Sequence, residues 1–250
     1  MTITQIPPLS GTRDGTMAAK WGLKGRFGSI LRAAAITIAV LVLLPYAIAP
    51  FYRFINPIST LMLWHWMTGQ RVERQWMPID RISPALRLAV VVAEDGKFCS
   101  HHGIDFGELK QALTEVDDLS EARGGSTITQ QVAKNLFLWQ SRSYVRKVLE
   151  FPLALWIDLV LPKKRVLEIY LNIAAWGPNG EFGAEAGARR DFNKSAADLR
   201  PPEAALMAAT LPNPSARDAR KPGPGLRQIA GIHLRRMGTM ATRADCVGIR

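Results

Sequence analysis

A chain of 250 residues has room for one sizeable catalytic domain plus an extra segment, but not for two large domains. An apolar share of 48% beside 21% charged residues excludes general disorder, and two cysteines exclude both a disulfide scaffold and a four-cysteine zinc site. The formal charge of +11 leaves three classes of partner: nucleic acid, an anionic membrane surface, or a phosphate-bearing substrate.

The first 52 residues hold five cations (Arg13, Lys20, Lys24, Arg26, Arg32) and one acid, Asp14. All five cations precede an uncharged run from Ala33 to Tyr52. At a rise of about 1.5 Å per residue, a helix over 33–52 spans a hydrocarbon core of roughly 30 Å. Pro45 and Pro50 predict a kink or an early end in its second half. By the positive-inside rule, residues 1–32 form a basic cytoplasmic N-terminus and the rest of the chain lies outside. Ala47-Ile48-Ala49 has the form of a signal-peptide cleavage site. Pro50 directly after it, and the length of the run, favour an uncleaved anchor instead. A membrane-proximal segment, 53–82, follows. Within it Ile58–Met67, with Trp64 and Trp66, suits either an interfacial element or part of the core.

From residue 83 onward the chain reads as helices. Ser83-Pro84 is an N-cap followed by proline at the first helical position. Asp105, Ser126 or Thr127, Ser143, Pro162, Gly183 and Pro201-Pro202 each precede an apolar-periodic stretch. Pro152 predicts a kink in the fourth of these helices. Alternating runs are scarce, so strand content should be low and the fold class mostly α. Residues 215–250, rich in Pro, Gly and Arg, carry eight cations against two acids and read as a weakly structured basic tail. Whether Cys99 in a central motif pairs with Cys246 in that tail stays open.

The middle of the chain is nearly neutral but polar along its length. Residues 94–122 carry eight acids and two cations, and residues 123–165 the reverse. Three clusters stand on this division. Glu94-Asp95 ends an apolar helix and is followed by Gly96, Phe98, His101, His102 and Gly103. A partly buried carboxylate there suits a general base, because burial raises its pKa; a solvated helix end is the plain alternative. Ser126, Gln130 and Lys134 recur at i, i+4 and i+8 after a Gly-Gly turn, opposite Ile128, Val132 and Leu136. They form either an anion site or the wet face of a capped amphipathic helix. Arg142, Arg146 and Glu150 share the same spacing, with Lys147 beside them. This is either a helix salt bridge or a pair of guanidinium forks suited to a pyrophosphate.

Nucleic-acid signatures are absent, so no nucleic-acid partner is expected. His101-His102 has no third ligand at metal-binding spacing, and no G-x-S-x-G elbow supports a serine hydrolase.

The order of these clusters resembles a known family, the peptidoglycan glycosyltransferases, a module shared by class A penicillin-binding proteins and monofunctional biosynthetic transglycosylases. Glu94-Asp95-x-x-Phe98-x-x-His101-x-Gly103 is similar to its first motif, and Gly125-Ser126-Thr127-Ile-Thr-Gln130-Gln131-x-x-Lys134-Asn135 to its second. Arg146-Lys147-x-x-Glu150 resembles the third, and Lys163 through Tyr170-Leu-Asn172 the fourth. Glu203-Ala-Ala-Leu with Leu211-Pro-Asn-Pro also fits. The block around Ala186–Lys194 departs from the family, with Arg190-Asp191 where an aromatic is usual, which puts local packing or a subsite contact in doubt.

The resemblance implies a partly lysozyme-like helical glycosyltransferase domain over 83–214, behind a single transmembrane helix and on the outer face of the cytoplasmic (inner) membrane. It would polymerise lipid II into β-1,4-linked strands and release undecaprenyl pyrophosphate. It makes Glu94 the base on the acceptor hydroxyl and puts Glu150 at the donor pyrophosphate. Ser126, Gln130, Lys134, Arg142 and Arg146 are then donor-site residues. Asp95, Phe98, His101, Gly103, Thr127, Gln131, Asn135 and Lys147 support the motifs. No cofactor is required by it, and a divalent cation such as Mg2+ or Mn2+ near Glu150 is left open. Partners implied are lipid II, the growing glycan strand, the membrane and other wall-synthesis proteins. A membrane-bound lytic enzyme and a non-catalytic scaffold are the competing readings.

Overall fold

The computed structural model describes residues 15–114, 125–141 and 143–249, and the chain divides into two units, Met1–Pro45 and Tyr46–Arg250. Most of α1 (Gly15–Ile48) belongs to the first. It starts well before the uncharged run. Its apolar side chains are exposed all round, among them Ile30, Ile36, Leu41 and Leu43. A helix apolar on every face is the pattern of a membrane span rather than of a surface helix. The stretch Gly28–Arg53 is long and apolar enough to cross a membrane. Pro45 is absorbed within the helix, while the early end falls near Pro50, where Ala49–Arg53 tightens into a 3-10 turn. Proline has no N–H to continue the ladder.

In the second unit, α2 (Thr60–Met67) answers the two readings of Ile58–Met67 on different faces. Met62 is fully buried, whereas Leu63, Trp64, Trp66 and Met67 are exposed. The expected helix starts are then met in order. After β1 (Glu73–Arg74), Ser83 accepts the Ala85 N–H at 3.2 Å and Pro84 opens α3 (Pro84–Glu94). Asp105 accepts the Gly107 and Glu108 N–H groups ahead of α4 (Phe106–Thr114). Thr127 and Gln130 make the capping box of α5 (Ile128–Phe137), and Ser143 caps α6 (Tyr144–Val160), which contains Pro152. Pro162 precedes α7 (Lys163–Ile173). Beyond it lie β2 (Glu181–Phe182), α8 (Ala184–Phe192) after Gly183, and α9 (Pro201–Thr210). β1 and β2 pair in parallel over two residues each, so the mostly α class holds.

Helix α3 lies in the middle of the core. Leu86, Ala89 and Val90 are completely covered where α9 packs on α3. α9 buries Ala204, Ala205, Ala208 and Ala209, small side chains that let neighbouring helices pack closely on it. On the other side α5 packs against α6 and α7, over Ile128, Val132, Ile157 and Leu167.

Two expectations are corrected by this core. The weakly structured tail is instead an ordered element: α10 (Pro224–Met240) packs on α9 and α3 and buries Leu226, Ala230 and Met237. The Pro-Gly run is the start of that helix, with Gly223 as N-cap and Pro224 at the first position. Farther on, the carbonyl of Val247 accepts Arg87 Nη1 at 2.9 Å. The Arg190-Asp191 departure is a buried ionic link. Arg190 Nη1 lies 2.5 Å from Asp191 Oδ1, with Glu181 and Asp218 also near the guanidinium. Burial pushes the Asp191 carboxyl up to about 6.

The open question about the cysteines is also answered, because Cys99 and Cys246 form a disulfide across a sequence separation of 147 residues. A cross-link over so long a loop restricts the unfolded chain strongly. Cys99→Ser is expected to cost about 2–4 kcal/mol. In a domain of this size that lowers the melting temperature by roughly 4–16 °C, and thermal unfolding with and without reductant checks it.

Candidate active site

Glu94 is the last residue of α3, and its half-buried carboxylate faces a cleft of about 450 Å³. Burial raises its pKa and the neighbouring Asp95 adds to the rise. Gln131, Lys134 and Arg217 oppose it. The direct contact is Gln131 Nε2, which donates to Glu94 Oε2 at 2.7 Å. Gln131 is itself oriented by Tyr170, whose hydroxyl donates to Gln131 Oε1 at 3.1 Å. A carboxylate with a raised pKa and one fixed donor keeps its second oxygen available for a proton.

The residues around Glu94 fix the loop that carries it. Asp95 accepts the Ile128 N–H at 2.9 Å, and His101 Nε2 lies 2.9 Å from Asp95 Oδ1. The end of α3 is thereby tied to the start of α5. Thr127 Oγ1 donates to the Gly103 carbonyl at 2.6 Å. Gly103 has φ +73, and a Cβ there would stand 2.8 Å from the Ala154 carbonyl oxygen, so no other residue suits the position. Phe98 is fully buried, with Lys163 Nζ 4.6 Å from its ring centre. These five motif residues therefore hold the loop that carries Glu94, and Asp95 and Thr127 also line its cleft.

The second expected stripe is only partly a polar surface. Gln130 is fully buried, and its Oε1 accepts the Thr127 N–H at 2.9 Å. It shapes the helix start, because closing the capping box turns it inward. Ser126 Oγ accepts from Lys147 Nζ at 2.8 Å. The same ammonium reaches Glu150 Oε1 at 2.7 Å, while Arg146 Nη1 lies 2.5 Å from Glu150 Oε2. Glu150 is buried and holds both cations in place. Arg142 lies outside the described residues, and α6 begins after it, at Tyr144.

Lys134 connects the two halves. Its pKa is lowered, first by burial and then by Arg146 and Lys147, and it feels the charges of both Glu150 and Glu94. With Gln131, Asn135 and Tyr170 it lines a second hollow of about 250 Å³. The donor set around Glu150 does not suit a divalent cation. Both its oxygens are taken by cations, and no group of three His, Cys, Asp or Glu is placed to hold a metal among the described residues.

Tyr170 and Arg217 are site residues that the clusters by themselves did not single out. Tyr170 stood within the fourth motif with no assigned role, and Arg217 stood in the supposed tail. The Gln131 contact gives a direct test by pH. Gln131→Leu removes a donor that favours the ionised base, so the Glu94 pKa rises further. A protonated Glu94 cannot accept a proton, so the acid limb of kcat/KM is expected to move to higher pH. Activity at pH 6 then falls more than at pH 8.5, and a pH–rate profile of the two proteins checks it.

Comparison with known proteins agrees with this constellation. The family model described as Transglycosylase matches residues 62–238. A protein of Rhodopseudomonas palustris (strain HaA2) named biosynthetic peptidoglycan transglycosylase is 58% identical over 208 residues, covering 83% of this chain and 92% of the relative. A protein of the same name from Nitrobacter winogradskyi is 57% identical, with 88% and 97% covered. Another from Brucella suis is 48% identical, with 88% and 99% covered. The family model over most of the chain and these relatives, covered along nearly their whole length, place the protein in the transglycosylase family.

Proposed function

We propose that this protein is a membrane-anchored, monofunctional peptidoglycan glycosyltransferase that polymerises lipid II by an inverting displacement. The observation that carries the reading is a half-buried Glu94 on a cleft whose Ser126 is held by Lys147 of the Arg146–Lys147–Glu150 cluster, with Lys134 within reach of the charges of both Glu94 and Glu150. Glu94 removes the proton from the 4-hydroxyl of the acceptor sugar. That oxygen attacks the anomeric carbon of the donor as the bond to the lipid pyrophosphate breaks. One displacement turns the α-linked donor into a β-1,4 product, and the leaving pyrophosphate departs as an anion beside the cations. Glu150 keeps Arg146 and Lys147 aimed, so that little reorganisation is needed as charge develops. The side chains of this chain supply the neutralisation, and no step is assigned to a metal.

Membrane attachment fits the same reading. Val145, Val148, Leu155 and Leu159 fall on one exposed stripe of α6, and α6 packs against the turn at Ala49–Arg53, where Trp156 Nε1 donates to the Tyr46 carbonyl at 3.0 Å. Phe51, Phe54, Ile55, Trp64 and Trp66 are exposed apolar side chains in the segments beside that turn. The N-terminal cations favour an inside N-terminus, with the catalytic domain on the outer face of the inner membrane. A lipid-linked substrate and a membrane-adjacent site then suit each other.

The test supplies the purified full-length chain with lipid II and separates the products on a gel. Long glycan strands are expected. No polymer, together with fragments released from isolated wall, would establish the lytic reading; neither activity would leave a scaffold.

A further inference from the structure

The cleft that holds Glu94 has a wall that the catalytic motifs do not contribute. Arg236 and Met240, both on α10, line it together with Glu94, Asp95 and Ser126. Met240 packs against the loop that follows Glu94, its Cε 3.2 Å from the position a Cβ on Gly96 would take. Just past α10, Cys246 is bonded to Cys99 of the same loop. This wall is therefore fastened to the base-bearing segment by packing and by a covalent link.

The charges in the cleft are unevenly used. Its other cation, Lys97, is already engaged, 3.3 Å from Asp105 Oδ2 and 2.9 Å from Glu108 Oε1. Arg236 has no carboxylate partner among the described residues, although four acids line the same cleft. An exposed arginine on the lining of a cleft, with no carboxylate partner, offers a planar fork to an incoming anion. Arg235 and Arg236 are both exposed, but Arg235 lies outside the lining.

Resting on the function proposed above, we infer that Arg236 is a substrate-binding residue of the Glu94 cleft. It takes an anionic oxygen group, phosphate or carboxylate, on the sugar substrate whose hydroxyl Glu94 activates. Two parts of a lipid-linked muramyl peptide carry that chemistry: the pyrophosphate and the carboxylates of the peptide stem. Because Arg236 lines the Glu94 cleft but makes no contact with Glu94 or with the Arg146–Lys147–Glu150 cluster, its loss weakens capture of that substrate without slowing the displacement.

Steady-state polymerisation by the full-length protein, with melting temperature measured in parallel, tests this. Arg236→Ala is expected to raise KM for lipid II about tenfold while kcat stays within about twofold. Arg236→Lys should fall between, since it keeps the charge but loses the fork. Arg235→Ala should match the wild type and exclude a general effect of surface charge. Repeating the wild-type and Arg236→Ala measurements with lipid II amidated at its stem carboxylates separates the sources. If the mutation still costs tenfold, the partner is the pyrophosphate; if the KM of the wild type itself rises to that of the mutant, it is the stem. A KM for Arg236→Ala within twofold of an active wild type, or an equal effect from Arg235→Ala, overturns the inference alone. A wild type without turnover overturns the function proposed above and this inference with it.

Discussion

Glu94→Gln is expected to lower glycan polymerisation by about 10²–10⁴-fold while leaving the fold intact and KM little changed. Glutamine has the same shape and still meets Gln131, so packing at the end of α3 is kept. The lost property is the ability to accept a proton from the sugar hydroxyl. Because the carboxylate is held with a raised pKa, the wild-type rate should climb with pH along an acid limb set by that group, and the variant should lose this limb. Turnover on lipid II at several pH values, beside a melting curve, measures both. A variant with wild-type rate would remove Glu94 from the chemistry.

Glu150→Gln should be nearly as damaging to rate and considerably more damaging to stability. The carboxylate is buried and contacts Arg146 and Lys147 at 2.5 and 2.7 Å. Removing its charge leaves two partly covered cations without compensation, a change that costs about 3–5 kcal/mol at buried pairs. For a domain of this size that is roughly 6–20 °C in melting temperature. The cations also lose their aim, and pyrophosphate departure should slow by about 10²-fold, the scale of losing one preorganised contact to developing charge. Measuring turnover well below the variant's own melting point separates the two effects. Full turnover there would show that Glu150 has no part on the donor side.

These two carboxylates also mark how far the residues alone carry the reading. The caps at Ser83, Thr127 and Ser143, the membrane helix and the mostly α class were legible because each rests on local rules of hydrogen bonding, proline geometry and apolar period. Glu94 was legible as a candidate because it ends an apolar helix, and Glu150 because two cations share its helix at contact spacing. Gln130 shows the limit of that reasoning. Its place on a polar stripe reads as a wet face or an anion site, and only the fold shows that the capping box turns the side chain into the core.

The tail was misread for a related reason. Proline and glycine near residue 223 signal a break, but they equally signal a helix start, and only the apolar surface of α3 and α9 decides which. Hydrophobic burial is non-directional, so a weak local preference is overridden when a partner face exists to cover Leu226, Ala230 and Met237.

By itself the sequence determined an apolar helix behind a basic N-terminus, a helical domain, an acidic segment followed by a basic one, and the motif order that resembles a glycosyltransferase. The tertiary structure alone decided that Gln131 and Tyr170 steady Glu94, that Lys134 stands between two carboxylates, and that Cys99 joins Cys246. It alone made α10 a wall of the cleft. The physical reason is range. Caps and periodicity act within one or two turns, whereas a shifted pKa, a shared cation or a cleft wall depends on residues tens to more than a hundred positions apart, brought together by the packing of helices that share no local signal.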